Sequence, residues 1–214
     1  MIPLKHFYMI RHGETEANAA RLMAGSLDSP LTAKGRDQAR KVHKVIETLT
    51  VKPTKIIHSH LTRARDTAAI INEALNVSME EDPDFAEFHA GEWEGIPYDQ
   101  CPDLLRGWVD PPGGETCENF FTRIKRAKIR ALQGNQNPVM VVSHGGVFRA
   151  FLKLHAVDLE GVRNCILYEF EPKAQENVFP WNIWRYDIED ELVIRRPVNL
   201  ENQAPDSEIA EEIA

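Results

Sequence analysis

Phe7-Tyr8-Met9-Ile10-Arg11-His12-Gly13-Glu14-Thr15 decides how this chain is read. Four apolar residues in a row predict a buried strand. An Arg-His pair follows at its C-terminal end, the edge where open α/β sheets bind ligands. Neutral imidazole is a nucleophile with a free pKa near neutrality. Guanidinium stays charged and grips an oxyanion with two parallel donors. The pair therefore points to a phosphoryl group attacked by a ring nitrogen.

A second strand end carries related chemistry. Lys55–Ser59 predicts a strand, and Leu61–Leu75 a helix with Ala64, Ala68, Ile71 and Leu75 recurring at helical spacing. Arg63 falls in the first turn of that helix. A cation is unfavourable there for the helix itself, so a bound anion supplies a reason for it. Pro138–Ser143 is a β-branched run that predicts a central strand, and His144-Gly145-Gly146 ends it. A helix is expected from Val147 to Leu154. His144 at that edge can donate a hydrogen bond to phosphate. Glu87 lies in Phe85–Gly95, a loop with Phe88 and Trp93. A carboxyl in apolar surroundings has a raised pKa and can protonate a leaving oxygen.

Around these segments strands and helices alternate. Thr32 caps a helix expected over Ala33–Leu49, and Glu115–Leu132 is a third long helix. Late strands are expected at 164–171, 184–188 and 191–194. The alternation predicts an α/β fold, a three-layer α/β/α sandwich with a mainly parallel central sheet. Residues 1–200 are read as one domain, with 85–114, rich in Gly and Pro, as a loop inserted at the site. Residues 16–31 are read as a second site loop.

Composition narrows the classes of partner. Of 214 residues, 43% are hydrophobic and 27% charged, as expected for a globular chain. No apolar run is long enough to span a bilayer, and the N-terminus lacks the apolar region of a signal peptide. Net charge is −8. Residues 201–214 hold five carboxylates and no Lys or Arg, which leaves −3 for the rest. That stretch is read as an acidic, disordered tail. Nucleic acid is an unsuitable partner without a clustered basic face. The one basic run, Arg123, Lys125, Arg126, Lys128 and Arg130, is read as a solvated helix face. Cys101, Cys117 and Cys165 form no metal or disulfide pattern, so a reducing cytoplasm is expected.

Taken together the segments resemble the histidine phosphatase superfamily, in its phosphoglycerate-mutase-like branch. The resemblance spans roughly residues 4–170. It rests on Arg11-His12-Gly13-Glu14-Thr15 with Asn18, on Gly25, Asp28, Pro30, Leu31 and Thr32, and on Ser59, Leu61, Arg63, Ala64 and Thr67. Glu87, Gly91, Trp93, Glu94 and Gly95, then Gly113–Thr116, then Ser143-His144-Gly145 complete it. The resemblance implies that His12 forms a phosphohistidine. Arg11, Arg63 and His144 would clamp the phosphoryl oxygens, with Asn18 and Gly145 also binding phosphate. Glu87 would serve as acid and then base, and Ser143 would orient the loop under His144. No metal and no cofactor are implied, since side chains supply the cations. The expected partner is a small-molecule phosphate ester.

Two enzyme readings share that first step. A phosphatase passes the group to water, and a cofactor-dependent phosphoglycerate mutase returns it to substrate. Mutases of the family follow the acid with Arg, whereas Phe88 follows Glu87 here. Between Gly91 and Gly114 the one cation is Arg106. His89 does resemble the mutase pattern. The sequence favours a phosphatase, with the mutase as alternative. A non-catalytic phosphate-binding regulatory protein is the alternative of another class. Phe88, Trp93, Tyr98 and Trp108 suggest an apolar or aromatic rim. The alcohol of the ester stays open: sugar, nucleoside, ribazole or protein side chain.

Overall fold

The computed structural model describes residues 1–100, 107–159, 161–173 and 179–202. Strand β1 (Phe7–Arg11) is central, and both its faces are covered. Side chains alternate across a strand. Phe7 and Met9 thus enter one apolar cluster and Tyr8 and Ile10 another. The second cluster holds helices α2 (Ala33–Thr48) and α3 (Thr62–Leu75). The first holds α4 (Cys117–Gln133) and α5 (Gly145–Lys153). Helices on both faces of one sheet make the three-layer α/β/α sandwich.

The seven-stranded sheet runs β3-β2-β4-β1-β6-β7-β8. Strands β2 (Lys55–His58), β3 (Ser78–Glu81) and β4 (Val139–Ser143) join β1 in a parallel core. Beyond β1, strands β6 (Leu167–Pro172), β7 (Trp181–Glu189) and β8 (Leu192–Pro197) are antiparallel. A parallel return needs a crossover of a dozen or more residues. The connection from β7 to β8 is too short for that. Asp190 and Glu191, both at positive φ, turn β7 directly into β8. "Mainly parallel" therefore describes the core of the sheet.

Thr32 caps α2 by accepting the Gly35 N–H, and Thr116 caps α4 by accepting the Asn119 N–H. The 16–31 loop contains a short helix α1 (Glu16–Ala19), closed by a reciprocal Thr15–Asn18 capping box. Helix α5 starts at Gly145, two residues before the expected Val147. Glu201–Asn202 (β9) pairs with Val157–Asp158 (β5), so the segment read as a tail begins in a two-stranded ribbon. Cys101, Arg106 and residues 203–214 lie outside the described residues.

The basic run on α4 is not one solvated face. Arg130 pairs with Asp82 and Asp84 at 2.8 and 2.7 Å. Arg123 turns inward, and Lys128 is fully buried. Helical spacing places position 128 beside Ile124 and Ala131 on the apolar side, whatever its residue type. Its Nζ lies 3.0 Å from Met9 Sδ and 3.8 Å from the Phe7 ring centroid. Burial pushes its pKa well below the ordinary lysine value. Desolvation is the cause, and it works against the charged amine. An unfolded chain holds this proton up to about pH 10.4. Lys128 therefore opposes folding at pH 7, less so as pH rises. Lys128→Met should stabilise the protein by about 1–3 kcal/mol at pH 7, with a smaller gain at pH 9.5. Urea unfolding at both pH values checks this, and an unchanged or lowered midpoint at pH 7 contradicts it.

Candidate active site

Strands β2, β4 and β1 are neighbours, and all three end at the same sheet edge. That adjacency brings Arg63, His144 and the Arg11-His12 pair together from distant parts of the sequence. They surround a cavity of about 160 Å³. Its wall includes Arg11, His12, Asn18, Arg63, Glu87 and Gly145, and His144 lies behind His12 with ring centroids 5.1 Å apart.

The backbone clamps His12 on several sides. Its N–H donates to Ser143 O at 2.9 Å, and its carbonyl accepts from Asn164 Nδ2 at 2.7 Å. Gly13 N–H donates to Thr67 Oγ1. Gly13 crosses Gly35 of α2 so closely that a Cβ on Gly13 would fall on the Gly35 carbonyl. His12 Nδ1 lies 2.7 Å from Gly13 O. A carbonyl can only accept, so Nδ1 carries the proton and Nε2 keeps its lone pair. Burial, with Arg11 and Arg63 nearby, holds the imidazole pKa well below its usual value. His12 is thus a neutral, oriented nucleophile at neutral pH.

The donors around it are also fixed. Arg63 is 1% exposed. It donates to Gly25 O at 2.6 Å, Leu27 O at 2.7 Å and His144 Nδ1 at 3.3 Å. Each terminal nitrogen keeps one further N–H. Because His144 Nδ1 accepts, its proton sits on Nε2. That Nε2 is buried without a hydrogen-bond partner, as is Arg11 Nε. Burial, then Arg63 and His12, lowers the His144 pKa as well. Unpaired buried donors are costly; Arg11 lines the pocket itself, and His144 packs against His12, which does. Arg11 Nη1 is anchored on Val162 O at 2.8 Å, and its guanidinium lies against Gly145.

Glu87 also lines the cavity. Its Oε1 accepts the Phe88 N–H at 2.9 Å and its Oε2 the Gly146 N–H at 3.1 Å. Backbone donors therefore surround the carboxylate, in place of the apolar shell expected from the loop. Phe88 packs into the core against Phe120, with ring centroids 5.0 Å apart. A Cβ on Gly146 would collide with Glu87, so only glycine admits the carboxylate there.

Other motif residues build the frame. Asp28 Oδ1 accepts the Thr62 N–H and hydroxyl, capping α3 beneath Arg63. Glu94 Oε1 ties Ser26 and Ala90 together across the two site loops. Asn18 spends Oδ1 on Thr15 N–H and meets the Tyr98 hydroxyl with its amide. The Ser143 hydroxyl has no hydrogen-bond partner. Its carbonyl makes the link to His12.

The roles of three residues escaped the sequence reading, although Thr67 stands in one of its motifs. Asn164 and Thr67 act on the backbone of the His12 loop, and short polar residues in turns are common. Arg123 was hidden in a charged run. Of the aromatic rim, Phe88 and Tyr98 line the cavity, while Trp108 packs against Phe121 in the core.

Comparison with known proteins agrees with this geometry. The profile of the histidine phosphatase superfamily (branch 1) matches residues 7–180. A probable phosphoglycerate mutase GpmB from Enterobacter sp. (strain 638) is 36% identical over 149 residues, covering 64% of this chain and 68% of the relative. An adenosylcobalamin/alpha-ribazole phosphatase from Salmonella typhimurium is 32% identical over 152 residues, covering 65% and 74%. TTHB049 from Thermus thermophilus superposes with a TM-score of 0.65 at 30% identity, covering 83% of this chain and 98% of that one. A mycobacterial glucosyl-3-phosphoglycerate phosphatase superposes with a TM-score of 0.68 at 25% identity, covering 84% and 96%. No helix among the described residues is long and apolar enough to cross a membrane. With its profile match running from the first strand to Pro180, this chain belongs to the histidine phosphatase superfamily, branch 1, and is an enzyme of the phosphatase kind.

Proposed function

We propose that the protein is a phosphomonoesterase that works through a phosphohistidine on His12 and acts on a small phosphorylated metabolite. The observation that carries this reading is the locked tautomer of His12, with Nε2 unprotonated beside the donors of Arg11, Arg63 and His144. His12 Nε2 attacks phosphorus as the ester P–O bond breaks. Glu87 gives its proton to the departing alkoxide. Charge on the transferring phosphoryl oxygens is met by Arg11, Arg63 and His144 Nε2–H, so the positive charge comes from side chains. Glu87 then takes a proton from water, which attacks phosphorus. The P–N bond breaks, and phosphate and neutral His12 are restored.

The enclosed volume supports a small ester. About 160 Å³ lies below the roughly 300–1,000 Å³ of sites that enclose drug-sized ligands. Met23, Ala24, Ala90 and Tyr98 also line the wall. Among the described lining residues the cations are Arg11 and Arg63 alone, and both serve the phosphoryl group. The similarity to a probable phosphoglycerate mutase keeps the second reading in view. A bisphosphate would need further counter-charges for its carboxylate and second phosphate, and this lining favours transfer to water. The unpaired cysteines agree with action in a reducing cytoplasm.

Assay of a panel of phosphate monoesters, alongside conversion of 3- to 2-phosphoglycerate with 2,3-bisphosphoglycerate, tests this reading. The expected result is phosphate release from one or more small esters and no bisphosphoglycerate stimulation. Strong stimulation of isomerisation, without net phosphate release, would favour the mutase.

A further inference from the structure

Arg123 does not line the cavity, yet its guanidinium is committed to the segment that bears Glu87 and to Glu115. Nη1 donates to Asp84 O and Ala86 O, both at 2.8 Å. Nη2 donates to Glu87 O at 3.0 Å and to Glu115 Oε2 at 2.8 Å. Nε donates to Glu115 Oε1 at 2.6 Å. All five N–H groups of an arginine are thereby used. The Arg123 and Glu115 side chains are 14% and 15% exposed. Glu115 N–H also donates to His89 O at 3.0 Å. One planar fork from α4 and the backbone N–H of Glu115 thus hold the chain on both sides of Glu87.

We infer that Arg123, oriented by Glu115, is a positioning residue that sets the Glu87 carboxylate for proton transfer to the leaving group. Three carbonyls bound from one side fix the backbone of Glu87. Phe88 N–H and Gly146 N–H then fix its carboxylate. Loosening the first set lets the carboxylate drift while His12, Arg63 and His144 stay anchored by their own bonds. Lysine keeps a charge opposite Glu115 but offers three donors on a tetrahedral centre, so it cannot reproduce the fork.

This inference rests on the proposed acid role of Glu87, and the test separates the two. Measured by kcat/KM, Arg123→Lys should lose about 10- to 100-fold on alkyl phosphates. Its loss on p-nitrophenyl phosphate, whose phenolate leaves without a proton, should be at least about tenfold smaller. In a Glu87→Gln background, Arg123→Lys should add no further discrimination between the two esters. Glu115→Gln should shift selectivity in the same direction and carries the test where Arg123→Lys does not fold. Equal losses on both ester classes, or a selective loss undiminished in the Glu87→Gln background, would overturn the positioning role. If Glu87→Gln is itself unselective, the acid assignment and this inference fall together. If Glu87→Gln is selective and Arg123→Lys is not, only the inference falls.

Discussion

His12→Ala is expected to remove turnover, lowering kcat by roughly 10⁴- to 10⁶-fold, the scale seen when a covalent nucleophile is deleted. The size follows from what stays behind. Arg63 keeps its bonds to Gly25 O and Leu27 O, and Arg11 keeps its bond to Val162 O. The phosphate cradle should therefore persist, and binding of inorganic phosphate or vanadate should change far less than the rate. Water would have to attack phosphorus directly, with no oriented lone pair. Steady-state assays beside a phosphate-binding titration check this pairing. Activity near that of the native enzyme would remove the nucleophile assignment. Equal loss of binding and rate would mean that His12 holds the phosphate without attacking it.

Glu87→Gln should split the two half-reactions. Glutamine keeps the size of the side chain but has no proton to give. For alkyl phosphates kcat/KM should fall by about 10²- to 10⁴-fold, the usual range for general acid catalysis. For p-nitrophenyl phosphate kcat/KM should fall much less, because phenolate leaves unaided. Hydrolysis of the phosphohistidine still needs a base, so kcat on the aryl ester should drop. A burst of nitrophenolate matching the enzyme concentration should then precede a slow steady state. Equal loss of kcat/KM on both esters would argue against the acid, and the lack of a burst against the base.

The parts of the fold that were legible in the sequence are those with strong local signals. The apolar run of β1 and the cap Thr32 stand where their residue types predict. The antiparallel half of the sheet was harder to read. Strand direction there depends on connection length and on the Asp190-Glu191 turn, which lacks the usual glycine. At the site, residues that meet phosphate chemistry directly stand out by type and by strand-end position. Residues that act through the backbone do not: Thr67 and Asn164 resemble ordinary turn and helix polar residues. Arg123 and Lys128 show why a basic run misleads. Arg126 and Arg130 of the same run are exposed, and only the helical phase turns these two inward, one to bind carbonyls and the other into aromatic rings.

One experiment reaches the central claim without relying on any variant. The enzyme is mixed with a ³²P-labelled monoester that it turns over, quenched within milliseconds in alkali, which preserves phosphohistidine, and digested for peptide mapping. The account predicts acid-labile label on the peptide carrying His12, formed and consumed at rates compatible with turnover. A turning-over enzyme that never carries label on that ring, or carries it on another residue, would contradict it.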